Sequence, residues 1–224
     1  MPEGCKINSK REKPWGTAHA IWCAKNYVSG DFAIINADDF YGKNSFKNAF
    51  QYMSRKDNNK NFGLVCYKLS ETLSEFGSVS RGVCKVENDK LVSINEYLKI
   101  QQENNIIFDL NTEKTLHEDD LVSMNFWICK NNFFIFLENY IIRCIRELKN
   151  IEKDEIYLPF AIKEYSELNK MEIDVLRSLS KWFGITYIED KNESIKKLRE
   201  LTENKLYPTC LLYTSDAADD RSWV

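Results

Sequence analysis

The alternation of apolar and polar positions is most legible between residues 13 and 43, KPWGTAHAIWCAKNYVSGDFAIINADDFYGK. Trp15 and Gly16 close a loop, Thr17 is suited to cap a helix, and Ala20, Ile21, Ala24 and Tyr27–Val28 follow at helical spacing. Ser29-Gly30-Asp31 ends that helix. Residues 32–35 are then an unbroken apolar run, the pattern of a strand covered on both faces of a parallel sheet. Asp38 and Asp39 follow at its carboxyl end, where ligands bind in open α/β sheets. A second helix is predicted from about residue 44, burying Phe46, Ala49, Phe50 and Met53. Residues 62–69 read as a strand and 71–78 as a loop. Residues 79–86 and 91–95 read as a hairpin about Glu87-Asn88-Asp89-Lys90, with Glu96 ending its second strand. A short strand is predicted at 106–108 and a longer, mostly apolar one at 121–129. Helices follow at 131–148, through Phe133, Phe134, Leu137, Ile141 and Ile145, and at 158–168, with Pro159 in its first turn. A strand at 171–179 and a helix at 194–201 complete the pattern. Strands alternating with helices, plus one hairpin, predict an α/β fold with a mixed sheet flanked by helices.

Composition narrows the class. With 224 residues the chain can bury one good core, as one domain or a domain with a small appendage. The net charge of −3 comes from 31 basic and 34 acidic residues spread along the sequence. No basic stripe marks a nucleic-acid surface. No apolar run is long enough to span a bilayer, and the N-terminus lacks a signal-peptide layout. The seven cysteines lie far apart, without a C-x-x-C pair. Most sit in apolar runs, as reduced thiols of a cytoplasmic protein do. The last residues, CLLYTSDAADDRSWV, break with everything before them. The expected organisation is a partial catalytic domain over 1–209 and a non-native tail over 210–224, of the kind produced by a reading frame running into adapter DNA. A native small-residue tail is the alternative.

Several residues invite a chemical reading beside a plain one. Asp38 and Asp39 are either an Asp-rich turn or carboxylates for a phosphate-bound magnesium ion, which takes only one or two protein carboxylates. Gly16 and Thr17 are a loop and cap, or a backbone that a nucleobase can approach. His19 can be packing or a nucleotide neighbour. Asn125, in the middle of an apolar strand, is read as a buried amide needing partners, which sugar hydroxyls could supply. Gly77 reads as a loop glycine and Glu189–Asp190 as a solvated acidic turn.

GTAHAI (16–21) followed by INADDFYG (35–42) resembles the sugar-nucleotide pyrophosphorylases, nucleotidyltransferases that include glucose-1-phosphate uridylyltransferase. The resemblance covers roughly residues 2–208 and rests on the order and spacing of its motifs. It implies a Rossmann-like nucleotide-diphospho-sugar transferase fold. It implies Asp38 as the metal-binding and catalytic aspartate, with Gly16, Thr17 and Asp39 beside the nucleotide. Gly77, Glu96 and Asn125 would meet the sugar. Tyr97 and Leu98 stand where the family has Lys-Pro after this glutamate, and Lys99 is the substitute cation. Asp190 would be a second metal carboxylate, although the sequence around Gly184 departs from the family pattern. The implied cofactor is Mg2+. The implied partners are a nucleoside triphosphate and a sugar 1-phosphate, with homo-oligomerisation left open. The family's glycine-rich phosphate loop, with its arginine and Pro-Lys, has no match here. The chain is therefore expected to be a fragment without its first strand and phosphate loop, and inactive as it stands. For the intact protein the resemblance implies nucleotidyl transfer from an NTP, UTP by likeness, to a sugar 1-phosphate with release of pyrophosphate. The alternatives are a non-catalytic nucleotide or nucleotide-sugar binding domain, and cytidylyl transfer to another phosphorylated acceptor.

Overall fold

The structure, a computed structural model, describes residues 1–2, 5, 11–55, 61–150 and 152–208. The expected tail, 210–224, lies outside the described residues. The elements run α1 (Thr17–Cys23), β1 (Phe32–Ile34), α2 (Lys43–Met53), β2 (Phe62–Lys68), a 3-10 turn (Leu69–Thr72), β3 (Val79–Glu87), β4 (Lys90–Glu103), β5 (Ile106–Asp109), β6 (Thr115–Leu116), β7 (Leu121–Cys129), α3 (Phe133–Glu147), α4 (Leu158–Asn169), β8 (Ile173–Arg177) and α5 (Asp190–Glu203). Among the described residues the strands form one mixed sheet in the order β1-β7-β2-β8-β4-β5-β6, with β3 pairing β4 and β7. The predicted α/β class, a mixed sheet flanked by helices, is what forms.

Alternation along β2 divides the core into two layers. Phe62, Leu64 and Cys66 face α1, α3 and α4, packing with Trp22, Phe133, Leu137, Ala161 and Ile162. Val65 and Tyr67 belong to the opposite layer, with Ala49 and Tyr52 of α2. The buried stripe of α3 is Phe133, Phe134, Leu137, Ile141 and Ile145, as its periodicity predicts. The β3–β4 turn holds Asn88 and Asp89 at φ of 50° and 56°, the left-handed pair that a tight hairpin requires.

Several expectations are corrected. β1 is not a strand covered on both faces in a parallel sheet. It pairs only β7, antiparallel, and Ile35 beyond it is exposed. α1 ends at Cys23, and the chain turns back at once toward β1, leaving Tyr27 in solvent. α2 is rotated from its predicted face: Ser45, Ala49 and Tyr52 are buried, whereas Phe46 and Phe50 are 47% and 68% exposed. Hydrogen bonds decide this rotation. The Ser45 hydroxyl donates to the Tyr41 carbonyl at 2.7 Å and the Tyr52 hydroxyl to the Phe62 carbonyl at 3.1 Å. β4 does not end at Glu96 but continues to Glu103, because β5 pairs its far half. α5 begins at Asp190, with only Ser194 buried. No helix among the described residues is long and apolar enough to cross a membrane.

Leu137→Ala, which empties a fully buried site, is expected to cost about 2–5 kcal/mol. Phe50→Ala on the outer face of α2 should stay within about 0.5 kcal/mol. Urea unfolding of both variants checks the assignment of faces.

Candidate active site

The site forms where β7 changes partners. One edge of β7 pairs β2 along most of its length. On the other edge, Trp127, Ile128 and Cys129 pair β1, whereas Leu121, Val122 and Ser123 pair β3. Between these two partners the register slips: Val65 opposes Phe126 but Cys66 opposes Ser123. Met124 and Asn125 are thus extra residues, a bulge that bends the strand and frees its backbone from the ladder. Asn125 takes φ of +59°, a left-handed conformation that asparagine tolerates better than most residues. The amide expected to be buried in mid-strand is instead exposed at this bulge.

Tyr41 secures the opposite wall. It is 1% exposed and donates its hydroxyl to the Met124 carbonyl at 2.7 Å, meeting the acceptor that the bulge releases. The same oxygen accepts from the Asn36 backbone N–H at 3.0 Å. The turn after β1 is thereby held against β7, with Asp39 Oδ2 accepting from Asn36 Nδ2 at 2.8 Å.

The resulting cleft, of about 270 Å³, is bordered by Asn36 and Asp39, by Arg81 and Gly82 on β3, by Glu96 on β4, and by Asn125, Trp127 and Trp182. Gly82 pairs Glu96 across the hairpin, and a Cβ on Gly82 would stand 3.1 Å from Glu96 Oε2 and 2.7 Å from Ile94. A larger residue there would press on Ile94 and on the Glu96 carboxylate. Arg81 is 7% exposed. Its guanidinium donates to the Thr72 carbonyl, to the Thr72 hydroxyl at 3.2 Å and to the Ser80 carbonyl at 2.7 Å, and lies 4.9 Å from the Trp182 ring centroid. Burial lowers its pKa to about 10, against the pull of Asp39, Glu96 and Asp190. Burial raises the Asp39 carboxyl, opposed by hydrogen bonds from the Asn36, Tyr41 and Trp182 side chains, while the neighbouring Asp38 raises it further. Desolvation raises Glu96, and Arg81 draws it back.

The segment after β8 forms the remaining wall. Phe40 and Phe183 exchange backbone hydrogen bonds of 2.8 and 3.2 Å and stack their rings at 4.3 Å. The Tyr187 hydroxyl donates to the Ser78 carbonyl at 2.5 Å, closing the Phe76–Gly77 loop against this segment. A wider groove of about 1460 Å³ adjoins the cleft through Arg81 and Trp182, and Gly77 and Asp190 lie along it.

The predicted site residues therefore divide into groups. Asp39, Glu96 and Asn125 meet in the cleft. Asp38 is exposed on the same turn. Asp190 is placed elsewhere, its carboxylate accepting from Thr186 N–H at 3.0 Å, Tyr187 N–H at 2.7 Å and the Ser74 hydroxyl at 2.9 Å. Gly16 and Thr17 are knitted to the entry of α4. The Ala18 N–H donates to the Ile156 carbonyl at 3.0 Å, and the Leu158 N–H donates to Thr17 Oγ1 at 2.9 Å. Gly16, not Thr17, is the N-cap of α1. Lys99 spends its backbone N–H on Asp109 at 3.2 Å. Arg81, Gly82, Trp127, Trp182 and Tyr41 escaped the sequence reading. A lone Arg-Gly within a strand and a Trp-Phe-Gly stretch were the available signals.

Two consequences can be measured. Gly16 has φ of +97°, and a Cβ there would lie 2.5 Å from the Ile156 carbonyl oxygen. Gly16→Ala should therefore destabilise by more than about 1 kcal/mol in urea unfolding. Asp39 has its folded pKa raised, so the stability tied to its proton is complete below the ordinary pKa of 3.8 and is lost as pH rises through the folded value. Asp39→Asn should raise the urea midpoint at pH 7, and the advantage should vanish as both proteins are taken toward about pH 3.

No protein-family model matches the chain. Its sequence is 25% identical over 166 residues to the bifunctional protein GlmU of Methanococcus vannielii, an alignment covering 72% of this chain and 31% of that protein. It is 37% identical over 60 residues to the bifunctional protein GlmU of Methanococcus maripaludis, covering 25% of this chain and 14% of that protein. The chain thus spans about a third or less of these curated relatives. Among solved structures, the inositol-1-phosphate CTP transferase from T. maritima superposes with a TM-score of 0.50 at 14% identity, over 82% of this chain and 61% of that one. A putative glucose-1-phosphate thymidylyltransferase from Bacillus anthracis gives 0.52 at 12% identity, over 84% and 63%. In sequence the chain is similar to these GlmU proteins, and in fold to these two transferase structures.

Proposed function

We propose that this chain carries the acceptor side of a nucleotidyltransferase that moves a nucleotidyl group from a nucleoside triphosphate to a sugar 1-phosphate. The observation that carries this reading is the convergence of Asp39, Glu96 and Asn125, from three separate elements, in one cleft at the break in β7 pairing. Carboxylates and amides in a partly desolvated cleft suit hydroxyl groups, which donate to the first and exchange both kinds of hydrogen bond with the second. In the transfer, an oxygen of the sugar's phosphate attacks the α-phosphorus of the triphosphate and the bond to the β-phosphate oxygen breaks, releasing pyrophosphate. No side-chain nucleophile is needed. Glu96, Asn125 and Asp39 would hold the sugar so that its phosphate points out of the cleft, and positioning of this kind supplies much of the barrier reduction. UTP and glucose 1-phosphate are the favoured pair, by the resemblance of the motifs.

The donor set allows one carboxylate for magnesium. Asp38 is exposed and makes no hydrogen bond or ion pair among the described residues, so it fits an ion already bound to phosphates. Asp190 does not fit, because both its oxygens serve the 186–190 turn and Ser74. Among the described residues no group of three or more His, Cys, Asp or Glu is placed to hold a metal by itself. When bound, magnesium would offset charge on the triphosphate. The six described cysteines are free thiols, which supports a cytoplasmic setting.

Pyrophosphate release by the protein, with UTP, CTP and dTTP against a panel of sugar 1-phosphates, tests the reading. Asp38→Asn should lower the rate by about a hundredfold or more and leave thermal unfolding unchanged. Unaltered release would remove Asp38 from the metal site. Binding of a nucleotide sugar without any release would point instead to a non-catalytic binding domain.

A further inference from the structure

Arg81 is buried without an ion pair. It is 7% exposed, and its guanidinium donates only to neutral groups. Nε donates to the Thr72 carbonyl at 3.1 Å and to the Thr72 hydroxyl at 3.2 Å. One terminal nitrogen donates to the Ser80 carbonyl at 2.7 Å and the other to the Thr72 carbonyl. Buried charges are ordinarily paired, because taking a charge out of water without a counter-ion is costly. A guanidinium carries five N–H groups. One N–H on each terminal nitrogen of Arg81 is therefore left without an acceptor among the described residues. Two such groups on one planar fork suit two oxygens of a single anion.

Its position selects the anion. Arg81 borders both the 270 Å³ cleft and the wider groove. Around the cleft it is the only cation among the described residues, against the carboxylates of Asp39 and Glu96. Neither carboxylate is its counter-ion by contact. Asp39 accepts from Asn36, Tyr41 and Trp182, and Glu96 acts on Arg81 through charge alone. The groove, by contrast, is bordered by six lysines besides Arg81 and by five carboxylates. The cleft thus favours groups that donate hydrogen bonds, and the basic excess lies on the groove side of Arg81. A sugar 1-phosphate has the matching polarity, with hydroxyls at one end and an anion at the other. We propose that Arg81 binds the acceptor's phosphate at the boundary of cleft and groove, giving its two remaining N–H groups to two phosphate oxygens while the sugar ring faces Glu96 and Asn125. Its bonds to Thr72 and Ser80 hold the fork in place before the substrate arrives.

This rests on the sugar 1-phosphate acceptor reading, and the choice of ligands separates the two. The full chain and its Arg81→Gln and Arg81→Lys variants are titrated with glucose 1-phosphate, with UDP-glucose, and with methyl α-glucoside, which keeps the ring and lacks the phosphate. Arg81→Gln is expected to bind glucose 1-phosphate about thirtyfold more weakly and the glucoside as wild type does. Arg81→Lys keeps the charge but not the fork, and should recover only part of that loss. Equal weakening toward glucose 1-phosphate and the glucoside would reduce Arg81 to its bonds with Thr72 and Ser80 and overturn the proposal, as would unchanged affinity for glucose 1-phosphate in Arg81→Gln. Absence of wild-type binding to both glucose 1-phosphate and UDP-glucose would overturn the acceptor reading itself. Should a variant not fold, or the glucoside bind too weakly to measure, the Arg81 side-chain N–H resonances of the wild-type protein decide. They should shift on addition of glucose 1-phosphate and stay in place with the glucoside, and no shift in a protein that binds glucose 1-phosphate would refute the assignment.

Discussion

The hydrogen bond from Tyr41 to the Met124 carbonyl is the contact on which the candidate site depends. A strand in the middle of a sheet normally spends its backbone on neighbours along both edges. β7 cannot, because β1 occupies one end of its edge and β3 the other. The bulge at Met124–Asn125 absorbs the mismatch, and a buried phenol takes up the carbonyl that the ladder loses. One interaction thus ends β1 pairing, fixes the turn bearing Asp38 and Asp39, and keeps the gap between β1 and β3 open. The geometry parallels the general rule that α/β sheets bind ligands where strand connections diverge, although here the switch is between two antiparallel partners of one strand.

Electrostatics in the cleft follow from that gap. A single buried guanidinium lies within influence of three carboxylates while giving its direct hydrogen bonds to neutral groups. Burial alone would push Asp39 and Glu96 toward neutrality, and Arg81 opposes this for Glu96. Such a balance holds ionisable groups close to one another without an ion pair locking them together. It leaves Asp39 and Glu96 available to hydroxyl donors. It also gives Arg81 a structural duty, because its bonds to Thr72 and Ser80 tie the 3-10 turn to β3 and set the border between the cleft and the wider groove.

Parts of this were legible from the amino acids. The stripe Phe133, Phe134, Leu137, Ile141 and Ile145 specifies α3, because five apolar residues at helical spacing can be buried together in only one way. Residues 121–129 match β7 at both ends. The Asn88–Asp89 turn required left-handed backbone, and its composition announced it. Less legible was any choice between two acceptable faces. In α2, Phe46 and Phe50 looked like the buried set, yet Ser45 and Tyr52 won because their hydroxyls meet the Tyr67 hydroxyl, the Ser178 hydroxyl and the Phe62 carbonyl, all contributed by other segments. Hydrophobicity ranks residues one at a time and is blind to a hydrogen-bond partner supplied from elsewhere.

Local order, then, was settled by the sequence itself: the alternation of strands and helices, the mixed sheet, and the carboxylate pair after β1. Periodicity and turn chemistry act over a few residues and can be read without knowing the rest. Only the tertiary structure decided that β1 lies at an edge, that Asn125 is a bulge residue rather than a buried amide, and that Asp190 serves a turn apart from the cleft. It alone brought Arg81, Gly82, Trp127 and Trp182 to Asp39 and Glu96. Those six residues come from five separate stretches of chain, and their proximity is a consequence of strand pairing and register, which no single stretch encodes.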